Sequence, residues 1–227
     1  EPLSETVPER MISAIRHRGP DDSGMYFSAA DGSGAAKPQA ALGHRRLSII
    51  DLDSGHQPLA NEDKTVWIAF NGEIYNYREL RQQLQAGGHH FRTETDTETI
   101  VHLYEDHGVD CVKHLRGMFA FAIWDERRRG LFMARDPYGI KPLYYADDGK
   151  TFRIASQVKA LLAGGGIDTR PEPAGHTGFF LFGNVPEPFT LFRGIKSLPA
   201  GGSLWVDTSG CCEPRRWFDL TAELANA

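Results

Sequence analysis

No run of about eighteen apolar residues occurs in this chain, so nothing in it reads as a membrane-spanning helix. The opening EPLSETVPER has no apolar core of the kind a signal peptide carries. Cysteine is scarce. Cys111, Cys211 and Cys212 build no disulfide framework, and such usage suits a reducing cytoplasm. Excess positive charge is lacking too: the formal net charge of -5 gives no electrostatic case for binding nucleic acid. Metal-ligand spacing is missing. His89 and His90 are adjacent, and His102 and His107 do not share the i,i+4 register that puts two imidazoles on one helix face. No Cys-x-x-Cys, Walker A or GxGxxG pattern occurs, and Gly164-Gly165-Gly166 reads as a flexible joint. No metal is expected.

What is there is enough for one large domain, or a domain with an extension: 227 residues, 41% hydrophobic and 24% charged. Residues 8–16 read as a short helix with Met11, Ile12 and Ile15 as its apolar stripe. Residues 24–30, 41–51 and 66–70 read as strands, the last ending at Asn71-Gly72. Asn76 is positioned to cap a helix over 77–86, with Leu80 and Leu84 stacked and Gly87-Gly88 as the stop. Thr95-Asp96-Thr97-Glu98 has capping-box spacing and opens a helix that ends near Gly108. The period then falls to two. Residues 118–124 and 131–134 flank a charged turn, and 143–146 and 152–155 flank Asp147-Asp148-Gly149-Lys150, giving two hairpins. Residues 157–163 read as helix, 164–189 as an irregular, Gly- and Pro-rich excursion, and 202–206 as strand. The Phe179-Phe180-Leu181-Phe182 run fits a core or an interface, which leaves a homodimer open. Strands and helices are segregated rather than alternating, so an α+β fold of antiparallel sheets is expected.

The chemistry-bearing segments lie at element edges: RHRGPDDSG (16–24), GHRRLSIID (43–51), FNGEIYNY (70–77), TETDTE (93–98) and RDPYGIKPLYY (135–145). Asn71-Gly72 reads either as a plain hairpin turn or as a donor pair. In the second case the Asn amide and the Gly N–H point at one oxygen, which is how an oxyanion hole is made.

Taken together, the five segments resemble the glutaminase domain of class II glutamine amidotransferases, most closely the asparagine synthetase type. The likeness runs over nearly the whole chain, in family order. It implies the N-terminal-nucleophile hydrolase fold, a four-layer αββα sandwich of two antiparallel sheets. It also implies roles. Asn71 and Gly72 would be the oxyanion donors. Arg46 would clamp the glutamine α-carboxylate, a task that suits its bidentate fork. Leu47, Ser48, Ile49 and Ile50 would line the pocket through their backbone. Asp96 and Glu73 would face the α-ammonium group. Arg16 to Asp21 and Arg135-Asp136 match as scaffold. The expected reaction is glutamine to glutamate plus ammonia, with no cofactor in this domain.

One departure qualifies the likeness. The family's nucleophile is a cysteine whose own free α-amine activates it. This chain begins at Glu1 and has no cysteine before Cys111, so the opening strand is expected to be missing and the chain silent as given. Residues 1–206 are assigned to the glutaminase domain and 207–227 to a tail leading to a synthetase domain, the partner, where ATP and Mg would act. The alternative is a glutaminase-shaped module that binds glutamine or only packs against such a domain.

Overall fold

A computed structural model describes residues 4–28, 38–46 and 55–225. The chain opens with helix α1 (Thr6–Ala14), a 3-10 turn (Arg16–Arg18) and strands β1 (Asp22–Phe27), β2 (Ala41–Arg46), β3 (Leu59–Ala60) and β4 (Val66–Ile74). Helices α2 (Tyr77–Ala86) and α3 (Asp96–His107) follow, then a 3-10 stretch (Gly108–His114) and strands β5 (Gly117–Asp125), β6 (Gly130–Arg135), β7 (Tyr144–Asp147) and β8 (Phe152–Ala155). The rest comprises α4 (Val158–Gly164), α5 (Pro173–Phe182), β9 (Lys196–Ser197), β10 (Gly202–Asp207), β11 (Gly210–Cys211), β12 (Arg215–Arg216) and α6 (Leu220–Ala225).

Every pairing among the described strands is antiparallel. The large sheet runs β11-β10-β6-β5-β4-β3, with β12 also on β10. The pair β1-β2 and the three strands β8-β7-β9 form two smaller sheets. The period-two pattern of β5 explains the layering. Phe119, Phe121 and Ile123 pack with Leu80, Leu84, Ile100 and Leu103 of α2 and α3. The alternate Ala120, Ala122 and Trp124 pack on the other face with Leu42, Leu143 and Tyr145 from the small sheets. Met11 of α1 and Leu161 of α4 cover the outer side of β7 around Ala146. The order is therefore helix, sheet, sheet, helix: the α+β sandwich expected. Each fully buried aromatic or aliphatic side chain contributes roughly 1.5–3 kcal/mol to holding the layers together.

Several sequence expectations are corrected. Strand β4 does not stop at Asn71-Gly72; it runs through both to Ile74, paired residue for residue with β5 from Val66↔Asp125 to Ile74↔Gly117. A full strand opposite overrides the turn preference of Asn-Gly. Residues 173–182 lie in the expected irregular excursion yet form α5, with Pro173 in the first turn and Glu172 Oε1 accepting from Ala174 N at 3.2 Å. Gly175 and Gly178 let that helix close on Thr190 and Pro186, which a Cβ would strike. The Phe179–Phe182 run is not core, since Phe180 is 82% and Phe182 72% exposed. Asn76 does not cap α2; its amide donates to His114 O (2.9 Å) and its Oδ1 accepts from Arg116 N (3.0 Å). Thr95 makes no side-chain cap either, and Glu98 reaches past it to accept from Arg92 N and Thr93 N at 2.8 and 2.7 Å. Beyond Val206, where a tail was expected, β11 and β12 return to the large sheet, and Trp217 stacks on Phe119.

Candidate functional site

The free edge of β4 organises the site. β3 pairs with β4 only at Ile68 and Trp67, so the edge beyond Ile68 has no strand beside it among the described residues. Backbone N–H groups of alternate residues point to the same edge of a strand. Phe70 N donates to Gln57 Oε1 at 2.7 Å, and Ile74 N donates to Asp96 Oδ2 at 2.9 Å. Both donors therefore point away from β5, and alternation puts the Gly72 N–H between them on the same edge. His44 completes the frame from β2 by donating Nε2–H to Phe70 O at 3.0 Å. Burial is the main reason its pKa falls to about 4, so it is neutral at neutral pH and available as that donor.

Gly72 is glycine for a packing reason. A Cβ there would lie 2.2 Å from Met118 O and 2.8 Å from Phe119 Cα, both backbone atoms of β5. Its neighbour Asn71 is exposed, and side chains two apart on a strand share a face, so Asn71 and Glu73 stand together on the face opposite buried Phe70 and Ile74. Asp96, half-buried at the first turn of α3, has its pKa raised by burial, against the pull of the Ile74 N–H bond; the Glu73 carboxylate raises it further. Two carboxylates near one strand end make a place that favours a cation.

Arg46 is the last residue of β2. The 16–21 segment presses on its backbone: Asp21 N donates to Arg46 O at 3.2 Å, and a Cβ on Gly19 would fall 2.5 Å from Arg46 N. Gly55 leaves room for the guanidinium, since its Cβ would lie 2.2 Å from Arg46 Nη2. Arg46 shares a strand face with His44, two residues away on β2. Leu47, Ser48, Ile49 and Ile50 lie outside the described residues. Arg135 and Asp136 serve the scaffold. Buried Asp136 accepts from Tyr138 N, Ile140 N, Lys141 N and Phe119 N, while Arg135 donates to Lys141 O, Gly139 O, Leu198 O and Ser197 Oγ and pairs with Glu187. The fold thus groups Asn71, Gly72, Glu73 and Asp96 at one strand end and ties β2 to that strand through His44. Sequence reasoning missed Gln57 and His44 as partners of Phe70; a glutamine and a histidine in strand flanks carry no pattern that would reveal them.

A cleft of about 1030 Å³ opens over the large sheet. Ala69, Asn71, Ala120 and Ala122 form part of its floor, with β2 along one side and β8 along another. β2 pairs only with β1, and β8 only with β7, so each presents an unpaired edge among the described residues. None of the three thiols is suited to attack beside Gly72. Cys111 is buried, and burial pushes its pKa far up. Cys211 borders the cleft, but burial raises its pKa to about 11. It also lies four strands from β4 across the sheet, roughly 19 Å at ~4.8 Å per strand. Cys212 follows β11, on that same far side of the sheet.

This layering is an αββα sandwich of antiparallel sheets, the N-terminal-nucleophile hydrolase fold. Two solved structures share the fold: the B. subtilis glutamine phosphoribosylpyrophosphate amidotransferase complexed with ADP and GMP (TM-score 0.66, 22% identity, 96% of this chain and 47% of that one) and an allosteric regulatory enzyme of purine biosynthesis (TM-score 0.68, 21% identity, 93% and 46%). The chain belongs to the glutamine amidotransferase domain family, whose pattern matches residues 2–218. It is 39% identical over 212 residues to asparagine synthetase [glutamine-hydrolyzing] 3 of Bacillus subtilis (strain 168), covering 92% of this chain and 33% of that protein. It is 40% identical over 223 residues to asparagine synthetase [glutamine-hydrolyzing] 1 of the same organism, covering 96% and 34%. It is 43% identical over 201 residues to a putative asparagine synthetase [glutamine-hydrolyzing] of Mycobacterium bovis, covering 85% and 30%. The chain spans about a third of the length of these curated relatives. No helix among the described residues is long and apolar enough to cross a membrane.

Proposed function

We propose that this chain is the glutamine-binding and oxyanion-stabilising part of a glutaminase that hydrolyses glutamine to glutamate and ammonia. The observation that carries the reading is the donor row on the free edge of β4. The outer N–H groups, Phe70 and Ile74, are held by Gln57 and Asp96, and the Gly72 N–H stands between them. An oxygen seated above that edge meets the Gly72 N–H in the sheet plane and the Asn71 amide from the exposed face. That arrangement stabilises the negative oxygen of a tetrahedral intermediate. Glu73 and Asp96 hold the substrate α-ammonium. Losing solvent raises the pKa of Asp96, and a bound cation restores a partner to its carboxylate. Arg46 takes the α-carboxylate with its fork, and the backbone of Leu47, Ser48, Ile49 and Ile50 borders the same pocket.

The nucleophile is a cysteine at a free N-terminus, carried on a strand that seats in the cleft between β2 and β8. The two unpaired edges and the alanine floor support this. The thiolate attacks the side-chain amide carbon, and the terminal amine takes the thiol proton and delivers it to the leaving ammonia. Water then cleaves the thioester to glutamate and free thiol. In this reading the ammonia passes to a synthetase domain of the same polypeptide, which uses ATP and Mg to activate aspartate as the acceptor. The free thiols support a reducing cytoplasm as its location. The test is glutamate release by the complete polypeptide, together with calorimetric titration of L-glutamine into this chain. Release by a polypeptide that carries the cysteine, abolished by Cys→Ala, is expected. No release with the cysteine present overturns the reading in favour of a non-catalytic module.

A further inference from the structure

Away from the β4 edge, two imidazoles and a carboxylate converge on the far half of α3. His89, in the loop after α2, and His102 and Glu105 of α3 each offer one ligand atom, and the three atoms lie within 4.8 Å of one another. Both rings face the same oxygen with the same nitrogen: Nδ1 of His102 is 2.7 Å and Nδ1 of His89 is 3.7 Å from Glu105 Oε2. Two ligands of a tetrahedral zinc ion, each at ~2.1 Å, stand roughly 3.4 Å apart, and the two observed separations bracket that value.

A metal-bound imidazole is commonly oriented by a carboxylate on its other nitrogen, and one of the two rings has it. His89 Nε2 is 3.0 Å from Asp106 Oδ1. His102 Nε2 faces Glu98 Oε1 at 3.8 Å, beyond hydrogen-bond reach; His102 is completely buried, and this nitrogen has no hydrogen-bond partner. Glu105 is itself held, because its Oε1 accepts from Asn61 Nδ2 at 2.8 Å. His89 and Glu105 thus each have a second residue fixing the far side, while His102 is held by its burial in the helix face. Sequence spacing hid the set because His89 belongs to a different segment from His102, and only the packing of the loop against α3 brings them together.

We propose that His89 Nδ1, His102 Nδ1 and Glu105 Oε2 bind one divalent cation of the Zn²⁺ class, clamping the loop after α2 to the helix that begins at Asp96. Two nitrogens and one carboxylate oxygen leave the fourth position to water, on the side where Glu105 reaches solvent. The site lies roughly 9–14 Å along α3 from Asp96, at ~1.5 Å per residue, so its role is to hold the helix rather than to touch substrate.

The experiment titrates tag-free, chelator-treated protein with Co²⁺ and Zn²⁺. It reads visible d–d absorption, stoichiometry by calorimetry, and melting temperature. One ion per chain, a tetrahedral-type Co²⁺ spectrum and a rise of about 5–10 °C at hundredfold excess over Kd are expected. His89→Ala and Glu105→Gln abolish the spectrum while melting cooperatively without metal, and Asp106→Asn weakens binding roughly tenfold. His114→Gln, which alters the separate stacked His107–His114 pair, leaves binding unchanged. Absence of saturable binding, or binding that survives His89→Ala or disappears with His114→Gln, overturns the proposal. The cluster is then an imidazolium held between Glu98 and Glu105.

Discussion

Replacing Gly72 with alanine tests the tightest point of the site. The new Cβ would sit 2.2 Å from Met118 O and 2.8 Å from Phe119 Cα. Carbon approaches a carbonyl oxygen to about 3.3 Å, so β4 and β5 must part locally by about 1 Å. Both obstacles are backbone atoms of the central strand, and the Phe119 beneath is fully buried, so no side chain can swing aside. Overpacking of this kind costs about 1–3 kcal/mol, and the rigid neighbours put Gly72→Ala near the upper end. In a chain of this size each kcal/mol lowers Tm by roughly 2–4 °C, so the variant should melt roughly 6–12 °C below the parent. The companion is Asn71→Ala. Asn71 is exposed on the same strand, so its loss should change stability by no more than about 0.5 kcal/mol. In the polypeptide that carries the nucleophile it should lower kcat about 10²–10³-fold if the amide is an oxyanion donor. Differential scanning calorimetry of this chain reads the first effect and a glutamate-release assay the second. A Gly72→Ala variant that melts within about 2 °C of the parent refutes the packing argument, and an Asn71→Ala enzyme of full activity refutes the oxyanion assignment.

Arg46→Lys keeps the charge but removes the bidentate fork, and should weaken glutamine binding in calorimetry by about 1–2 kcal/mol with little change in Tm. Asp96→Asn separates stability from binding. The folded pKa of Asp96 is raised above its unfolded value, so the stability it contributes is present at low pH and lost as pH rises through the folded pKa. The asparagine variant escapes that loss and still accepts from Ile74 N. Relative to the parent it should therefore gain stability between pH 3 and pH 7 in denaturant titrations while losing glutamine affinity. An equal difference at both pH values contradicts the burial of a charge at Asp96. Asp136→Ala leaves four backbone N–H donors without their acceptor, and should cost at least about 3 kcal/mol, read as a Tm lower by roughly 6 °C or more.

Local patterning made much of the fold readable. β5 and β6 are apolar runs that flank a charged turn, and α2 shows its two buried leucines at i,i+4, so both were visible without tertiary knowledge. α5 was not, because Gly175 and Gly178 read as breakers until Thr190 and Pro186 appear against them. The Asn76 and Thr95 caps failed for a similar reason. Each polar side chain bonds outside its own helix: Asn76 to the distant His114 and Arg116, and the Thr95 hydroxyl to that of Thr93.

The residue types of the candidate site, the amide-glycine pair, the arginine and the two acids, are written in the sequence, because chemistry of this kind needs particular functional groups. How they are arranged was decided by the tertiary structure. Continuing β4 through Gly72 turned an apparent turn into a strand edge, and the direction of its N–H groups follows from pairing with β5 rather than from the dipeptide. Likewise, nothing in the order of the chain joins His89 to His102 or Gln57 to Phe70. Those meetings depend on which segments pack together, and packing is set by burial over the whole domain.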